Sequence, residues 1–218
     1  VAGLVDAGHR GHVLNIVADL RPADLASLLQ HLPADTAHVA FRWLPDDVTS
    51  RILPELESAE RIEFLDGLST SELVLLIDPL ASDDQADVLA DVDVTQADDV
   101  LVQLEDASDV EALLSYGEDT AGGLMATEVI AVPRTATVAE ATEAVRSNAE
   151  AVDPVFAVYV VDEAEKLVGV ISLKGLLLSP AHTVVAEIAE MDPVAVEPDL
   201  DQEDVARIME RYDLVALP

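Results

Sequence analysis

The stretch LRPADLASLLQHLPADTAHVAFRWLPDDVTSRILPELESAERIEFLDGL, residues 20–68, decides the fold of the first half of the chain, because it repeats every twelve residues. The period continues beyond this stretch and is marked by one apolar residue in each copy: Leu20, Leu32, Leu44, Leu56, Leu68, Leu80, Val92 and Leu104. An apolar pair follows each mark by eight and nine positions, as Leu28–Leu29 and Ile52–Leu53 do. Twelve residues accommodate one two-turn helix and a tight turn.

Helix-starting residues follow most of these marks, among them Pro22, Pro45, Ser69 and Ser82. A helix of two turns cannot bury its apolar stripe alone, so neighbouring copies must stack on one another. The spacing therefore predicts an all-α superhelix of short helices over residues 1–115.

The pattern changes after a connector at 116–123, where β-branched runs begin to alternate with helical patterns. The predicted strands are Val129–Val132, Val155–Val161, Leu167–Ser172, Val194–Val196 and Leu214–Leu217, and the predicted helices are Thr137–Asn148, Ser172–Leu178 and Asp201–Tyr212. The sequence that starts at Met125 is echoed from Met191, so the α/β region consists of one unit at 124–190 and a partial copy at 191–218. The copy lacks its second hairpin strand and last helix, which is typical of a fragment.

The chain is strongly acidic, with 44 Asp+Glu against 11 Lys+Arg in 218 residues and a net charge of −33. This balance argues against nucleic acid or an anionic membrane surface as the main partner, because both require basic side chains. Half of the residues are apolar, which excludes an acidic disordered tail, and no apolar run reaches the ~20 residues of a membrane span. The composition fits a salt-adapted, haloarchaea-like source, since molar salt screens the repulsion. An acidic surface that collects cations is the alternative, and the two are compatible.

Two motifs, EDTAGGLM (118–125) and DQEDVARIMERYD (201–213), stand beside the β-α-β-β-α unit that contains FAVYVVDEAEKLVGVISLKGLLL (156–178). That unit resembles a cystathionine-β-synthase-type (CBS) domain. The whole arrangement from about residue 15 onward is similar to the cytosolic part of the MgtE magnesium transporter/channel family. The resemblance implies a regulatory region at the cytoplasmic face of the cell membrane, in which bound Mg²⁺ keeps a CBS-paired homodimer compact and an attached transmembrane pore shut.

The resemblance implies Mg²⁺ ligands on both parts of the chain. In the superhelix they are Asp83 and Asp87, four residues apart at the start of one helix. The alternative is that Asp83 and Asp84 only complement the dipole of the helix N-terminus.

In the CBS region the implied ligands are Gly123, Asp201, Glu203, Glu210 and Asp213, with Gly123 offering its carbonyl. Each has an alternative role: a turn for Gly123, a helix cap for Asp201, a first-turn acid for Glu203 and a surface acid for Glu210. Asp213 is harder to explain without a cation, because an acid at a helix C-terminus opposes the dipole.

The sequence departs from the family pattern at two positions. Arg51 stands where the family carries an acidic superhelix ligand, and a guanidinium cannot bind Mg²⁺, so Arg51 either weakens that site or replaces the ion with a salt bridge. Gly175 stands where a nucleotide-binding CBS domain has the Asp that holds ribose, with Ser172 retained, so adenine-nucleotide binding is disfavoured.

No nucleophile–base constellation, phosphate loop or cysteine is present, so the sequence predicts a protein that is not an enzyme. Three interpretations compete: a Mg²⁺-sensing regulatory domain, a nucleotide-sensing CBS module and a superhelical protein-docking scaffold. A homodimer is expected through the CBS units, because Val138, Ala141 and Val145 form an apolar stripe on one predicted helix.

Overall fold

The computed structural model describes residues 1–149, 152 and 154–218 of the chain. They form two compact units: a helical unit, Val1–Ser115, and a sheet unit, Tyr116–Pro218. Across the described residues, no helix combines the length and the apolar character needed to cross a membrane.

The helical unit consists of ten short α-helices that follow the twelve-residue period. Their bounds are α1 Ala2–Asp6, α2 Arg10–Val17, α3 Pro22–Gln30, α4 Ala34–Phe41, α5 Asp46–Ile52, α6 Ser58–Leu65, α7 Thr70–Ile77, α8 Ser82–Ala90, α9 Val94–Leu101 and α10 Ala107–Leu113. Local sequence signals determine where several of these helices begin. Pro22 occupies the first position of α3, where its missing N–H is not needed. Ser69 caps α7 in a reciprocal pair with Glu72.

The periodic apolar pairs form the core of this unit. Ile52 and Leu53 are completely buried, and the ring of Phe41 stacks on that of Phe64 at 4.6 Å between centroids. Alternate helices pack on one another, α3 on α5, α5 on α7, α7 on α9 and α8 on α10. This is the stacking that the period requires.

The described residues of the sheet unit form a four-stranded sheet in the order β1-β2-β3-β4, with β1 parallel to β2 and the other pairs antiparallel. Its elements are β1 Ala131–Pro133, α11 Val138–Ser147, β2 Ala157–Val161, β3 Leu167–Ser172, α12 Leu173–Leu178, a 3₁₀ turn Val185–Glu187, β4 Glu190–Met191 and α13 Gln202–Tyr212. Three side chains cap helices: Thr137 caps α11, Ser172 caps α12 and Asp201 caps α13.

Two predicted strands are wrong. Val194–Val196 and Leu214–Leu217 have extended-type sequences but belong to no ladder. One backbone hydrogen bond, from the N–H of Val196 to the carbonyl of Pro218 (3.0 Å), joins the two segments. A strand needs a continuous series of such bonds, and the fourth strand is Glu190–Met191 instead.

The stripe on α11 does not face outward, so the argument that it forms a dimer surface is wrong. Val138 and Ala141 are buried in the unit's own core, and Val145 packs against that core. The most exposed large apolar side chains described in this unit are Leu177 (81%) and Leu178 (75%) on α12, followed by Val215 (73%).

Candidate functional site

Helix α8 presents a group of carboxylates near its N-terminus while its opposite side is packed into the core. Ser82 and Gln85 are buried on the packed side. Asp83 and Asp84 are half-buried and Asp87 is exposed. Because positions four apart on a helix are neighbours, Asp83 and Asp87 lie on the same side, as the spacing predicts.

The ionised form of Asp84 is destabilised by its position in this group of carboxylates. Burial, together with repulsion from Asp83 and Asp87, raises the pKa of its carboxyl from an ordinary 3.8 to about 6, against a smaller lowering by Arg61. The local sequence pattern indicates only a dipole-complementing role for Asp84, because its burial depends on tertiary packing. A cation beside these carboxylates would offset both causes of the raised pKa.

The C-terminal end of α8 is held by an ion pair that is nearly buried. Asp91 accepts from Arg61 Nε at 2.5 Å and from Ser58 Oγ at 2.6 Å, and both charged side chains are about one-tenth exposed. Each oxygen of Asp91 thus has a partner within α6. Asp91 is therefore part of the framework that holds α8, whereas the carboxylates near the start of α8 remain candidates for a metal.

In the sheet unit, tight packing explains the two glycines of the connector. A Cβ on Gly123 would lie 2.3 Å from the carbonyl oxygen of Gly117, and one on Gly122 would lie 2.5 Å from the ring of Tyr116. These approaches exclude any side chain at either position. Tight packing in a turn is thus enough to explain the glycine at position 123. The same turn does not prevent the carbonyl of Gly123 from binding a metal.

Asp201 and Glu203 both lie at the start of α13 but have different surroundings. Asp201 is the cap, and its carboxylate accepts from the backbone N–H of Glu203 at 2.8 Å. The side chain of Glu203 is exposed in the first turn. Asp201 is therefore already engaged in a structural role, in agreement with the capping alternative.

Asp213 ends α13 in the left-handed conformation, with φ of 53°. The N–H of the next residue, Leu214, donates to the carbonyl of Met209 at 2.9 Å, which closes the helix end. This geometry favours Gly or Asn, and Asp is tolerated because its side chain is short and polar. The turn explains a small polar residue here, but nothing in it explains a negative charge.

Distance separates the candidate ligands of α13 into two sets. An 11-residue helix is about 16 Å long, so Asp201 and Glu203 at one end cannot share an ion with Glu210 and Asp213 at the other. Within the described residues, no three acidic or histidine side chains are grouped closely enough to hold a metal. Mg²⁺ accepts one or two carboxylates and keeps several waters, so the chemistry of each set still fits this ion.

Arg51 makes its contacts inside its own helix. Its guanidinium donates to the carbonyl of Asp47 and lies 3.5 Å from the Asp47 carboxylate in an exposed pair. Near Gly175, the hydroxyl of Ser172 accepts from the Gly175 N–H at 3.1 Å. A Cβ at Gly175 would make ordinary contacts, so space alone does not require glycine there.

Comparison with known proteins supports both parts of the assignment. The MgtE intracellular N domain family matches residues 20–119, and the CBS domain family matches residues 121–181. The magnesium transporter MgtE of Thermus thermophilus is 36% identical over 210 residues, 93% of this chain and 46% of that protein. The one from Bacillus subtilis is 27% identical over 206 residues, with 94% and 46% covered. The chain thus spans slightly less than half the length of these relatives.

Solved structures match over almost the entire chain. The crystal structure of the cytosolic domain of the Mg²⁺ channel MgtE in complex with ATP has a TM-score of 0.88 at 33% identity, and the match covers 100% of this chain and 92% of that one. The crystal structure of the soluble part of a magnesium transporter has a TM-score of 0.82 at 25% identity, with 99% and 86% covered. The predicted fold class, a helical domain followed by a CBS-type α/β domain, is confirmed, and the chain belongs to the MgtE family, whose cytosolic region it matches.

Proposed function

We propose that this chain is a Mg²⁺-sensing regulatory region of a magnesium transporter or channel. Mg²⁺ binds to the acidic set on α8 and to the connector and α13, and it docks the helical unit against the CBS region. The proposed ligands are Asp83, Asp87, Gly123, Asp201, Glu203, Glu210 and Asp213. In the whole protein, at the cytoplasmic face of the membrane, high Mg²⁺ docks the domains and closes the pore, and low Mg²⁺ releases them.

The single observation that carries this proposal is the set of carboxylates at the start of α8. Asp84 is partly desolvated beside Asp83 and Asp87, and the pKa of its carboxyl is raised accordingly. Two like charges 4 Å apart repel by about 4 kcal/mol at an effective dielectric constant near 20. A divalent ion turns this repulsion into attraction, and carboxylates from a second domain can complete its coordination.

Small-angle scattering during a Mg²⁺ titration at constant molar KCl tests the proposal. We expect a smaller radius of gyration with Mg²⁺ in the wild type, and no such response in the double variant Asp87→Asn with Asp213→Asn. The matched control, Asp24→Asn with Glu163→Gln, removes one exposed charge from each unit and should respond as wild type. An unchanged Mg²⁺ midpoint in the first double variant would show that these ligands are wrong.

Thermal melting separates specific binding from screening. At equal ionic strength, Mg²⁺ should raise the melting temperature more than K⁺, because a ligand that binds only the folded state stabilises it by mass action. Equal melting temperatures in the two salts would leave the site unsupported.

We also propose that the chain pairs as a homodimer through its CBS region. The support is the exposure of Leu177 and Leu178 on α12, since adjacent exposed leucines favour association in water. Light scattering in molar KCl should give a dimer, and Leu177→Glu should give a monomer. A wild-type monomer at all concentrations would contradict the proposal.

Adenine-nucleotide binding is the second candidate function, because one similar structure is a complex with ATP. The glycine at position 175 still disfavours it in this chain. Calorimetric titration with ATP should show weak binding by the wild type and tighter binding by Gly175→Asp. If neither Mg²⁺ nor ATP has an effect, the docking-scaffold interpretation is favoured.

A further inference from the structure

The connector is bonded along its length to the segment that leads into α13. The N–H of Gln202 donates to the carbonyl of Asp119 at 2.9 Å, and the N–H of Ala121 donates to the carbonyl of Leu200 at 2.7 Å. Thr120 and Asp201 form the antiparallel bridge pair between these two bonds. The two segments are therefore paired antiparallel at one bridge, and we refer to this bridge with its flanking hydrogen bonds as the connector ladder.

One pair in this ladder is joined twice. Besides the backbone bond, Gln202 Nε2 donates to Asp119 Oδ1 at 2.6 Å, across 83 positions of sequence. A hydrogen bond to an ionised carboxylate is stronger than one between neutral groups. We call this side-chain and backbone pair the Asp119–Gln202 clasp.

The clasp lies at one end of the paired segments, and one candidate ligand lies on each segment, both on the same side of the clasp. Asp201 directly precedes Gln202, and Gly123 follows Gly122, whose N–H donates to the carbonyl of Pro198 at 2.7 Å. The conformation of the Gly123 turn is further fixed by the N–H of Gly123, which donates to Thr120 Oγ1 at 3.3 Å. If the ladder opened, the connector and the start of α13 would move independently.

We propose that Asp119 and Gln202 are positioning residues that hold the Gly123 carbonyl and the Asp201 carboxylate in fixed register. This inference rests on the proposed function, because it assigns both residues a part in the Mg²⁺ response without making either a ligand. Residues 116–123 also follow the last helix of the helical unit in sequence, so the clasp ties the start of α13 to the connector.

Three variants of the 218-residue chain test the clasp. Asp119→Ala removes the acceptor, Asp119→Asn keeps an acceptor oxygen and removes the charge, and Asp199→Ala removes a nearby exposed charge outside the clasp. The two measurements are amide hydrogen exchange of Ala121 and Gln202 without Mg²⁺, and the Mg²⁺ midpoint of compaction in molar KCl.

Asp119→Ala should speed exchange at both amides about tenfold, the factor expected for one lost hydrogen bond to a charged group. Its Mg²⁺ midpoint should rise several-fold. Asp199→Ala should match wild type in exchange, and Asp119→Asn should lie closer to wild type than Asp119→Ala does in both measurements, because its amide oxygen still accepts from Gln202 in a weaker, uncharged bond.

Unchanged exchange in Asp119→Ala overturns the clasp. Faster exchange with an unchanged Mg²⁺ midpoint overturns its positioning role, as does an Asp119→Asn variant that behaves like Asp119→Ala, because charge would then be the cause. If the wild-type chain shows no compaction with Mg²⁺, the proposed function itself is overturned. If the wild type compacts and the variants compact at the same Mg²⁺ concentration, only the positioning role is overturned.

Discussion

The two helices that carry most of the candidate ligands, α8 and α13, are held in place in opposite ways. Five of the nine residues of α8 are buried, among them Val88 and Leu89. The longer α13 has no fully buried residue: Val205, Ile208 and Met209 are only half-buried, and hydrogen bonds hold its two ends. The carboxylates on α8 are therefore positioned by a fully buried core, whereas those on α13 depend on half-buried apolar side chains and on polar contacts at the helix ends.

The largest effect is expected from breaking the framework of α8. Asp91→Ala leaves the guanidinium of Arg61 nearly buried and without its partner, which should cost about 3–5 kcal/mol of unfolding free energy. Denaturant unfolding in molar KCl, followed by the fluorescence of Trp43, the single tryptophan, measures this loss in the helical unit.

The matched control is Asp204→Ala, which breaks the exposed Arg207–Asp204 pair of α13 and should cost less than about 1 kcal/mol. Replacing both members of the buried pair, Arg61→Met with Asp91→Leu, should recover most of the loss, because no charge is then left unpaired. A cost below 1 kcal/mol for Asp91→Ala would contradict the contrast between the two helices.

The sequence contains enough information to predict what is local. The twelve-residue period predicts the stacked helices because every copy buries the same positions, and Asp201 predicts the start of α13 because a cap acts within one turn. The prediction of a strand at Val194–Val196 is wrong because strand pairing is not a local property. Its pattern is extended, but a ladder depends on a partner that the local sequence does not contain.

The residues of the candidate site also fall into two groups, those that a local pattern predicts and those that only tertiary packing reveals. Asp83 and Asp87 could be placed on one side of a helix from their spacing alone. The burial of Asp84 and the contact between Asp119 and Gln202 are products of tertiary packing, so no local pattern indicated them.

Asp84→Asn should stabilise the helical unit at pH 7 in the absence of Mg²⁺. The pKa of Asp84 in the folded state, about 6, lies above its ordinary 3.8, so the ionised form is penalised and stability falls as pH rises from 4 to 6. The full shift corresponds to about 3 kcal/mol, and partial exposure reduces the expected gain to about 1–2 kcal/mol.

Unfolding curves of wild type and Asp84→Asn at several pH values, with a chelator present, check this sign. The two proteins should differ at pH 7 and converge near pH 4, where the aspartate is protonated. A variant that is less stable than wild type at pH 7 would mean that the carboxylate is stabilised by its surroundings.

At the start of α13, Asp201→Ala should cost about 1 kcal/mol, because the N–H of Glu203 loses its acceptor. The loss should be local and visible as faster amide exchange in the first turn of α13, with unchanged unfolding of the helical unit. Asp201→Asn is the control, since it keeps the cap and removes the charge. Loss of the helical unit's stability in Asp201→Ala would contradict the local character of this contact.

The smallest effect, and the most discriminating, is expected at the other end of α13. Asp213→Gly relieves the left-handed backbone and the unfavourable charge at the helix C-terminus, so it should stabilise α13 by about 0.5–1 kcal/mol without Mg²⁺. The same variant removes a proposed ligand and should weaken the Mg²⁺ response. Glu165→Gly is the matched control, because Glu165 is another acid with a left-handed backbone (φ of 58°), in a hairpin turn outside the proposed site. It should gain stability and keep its Mg²⁺ midpoint. If Asp213→Gly also keeps the wild-type Mg²⁺ midpoint, Asp213 is a turn residue and not a ligand. If Asp213→Gly is more stable than wild type but responds more weakly to Mg²⁺, the carboxylate of Asp213 serves to bind the ion.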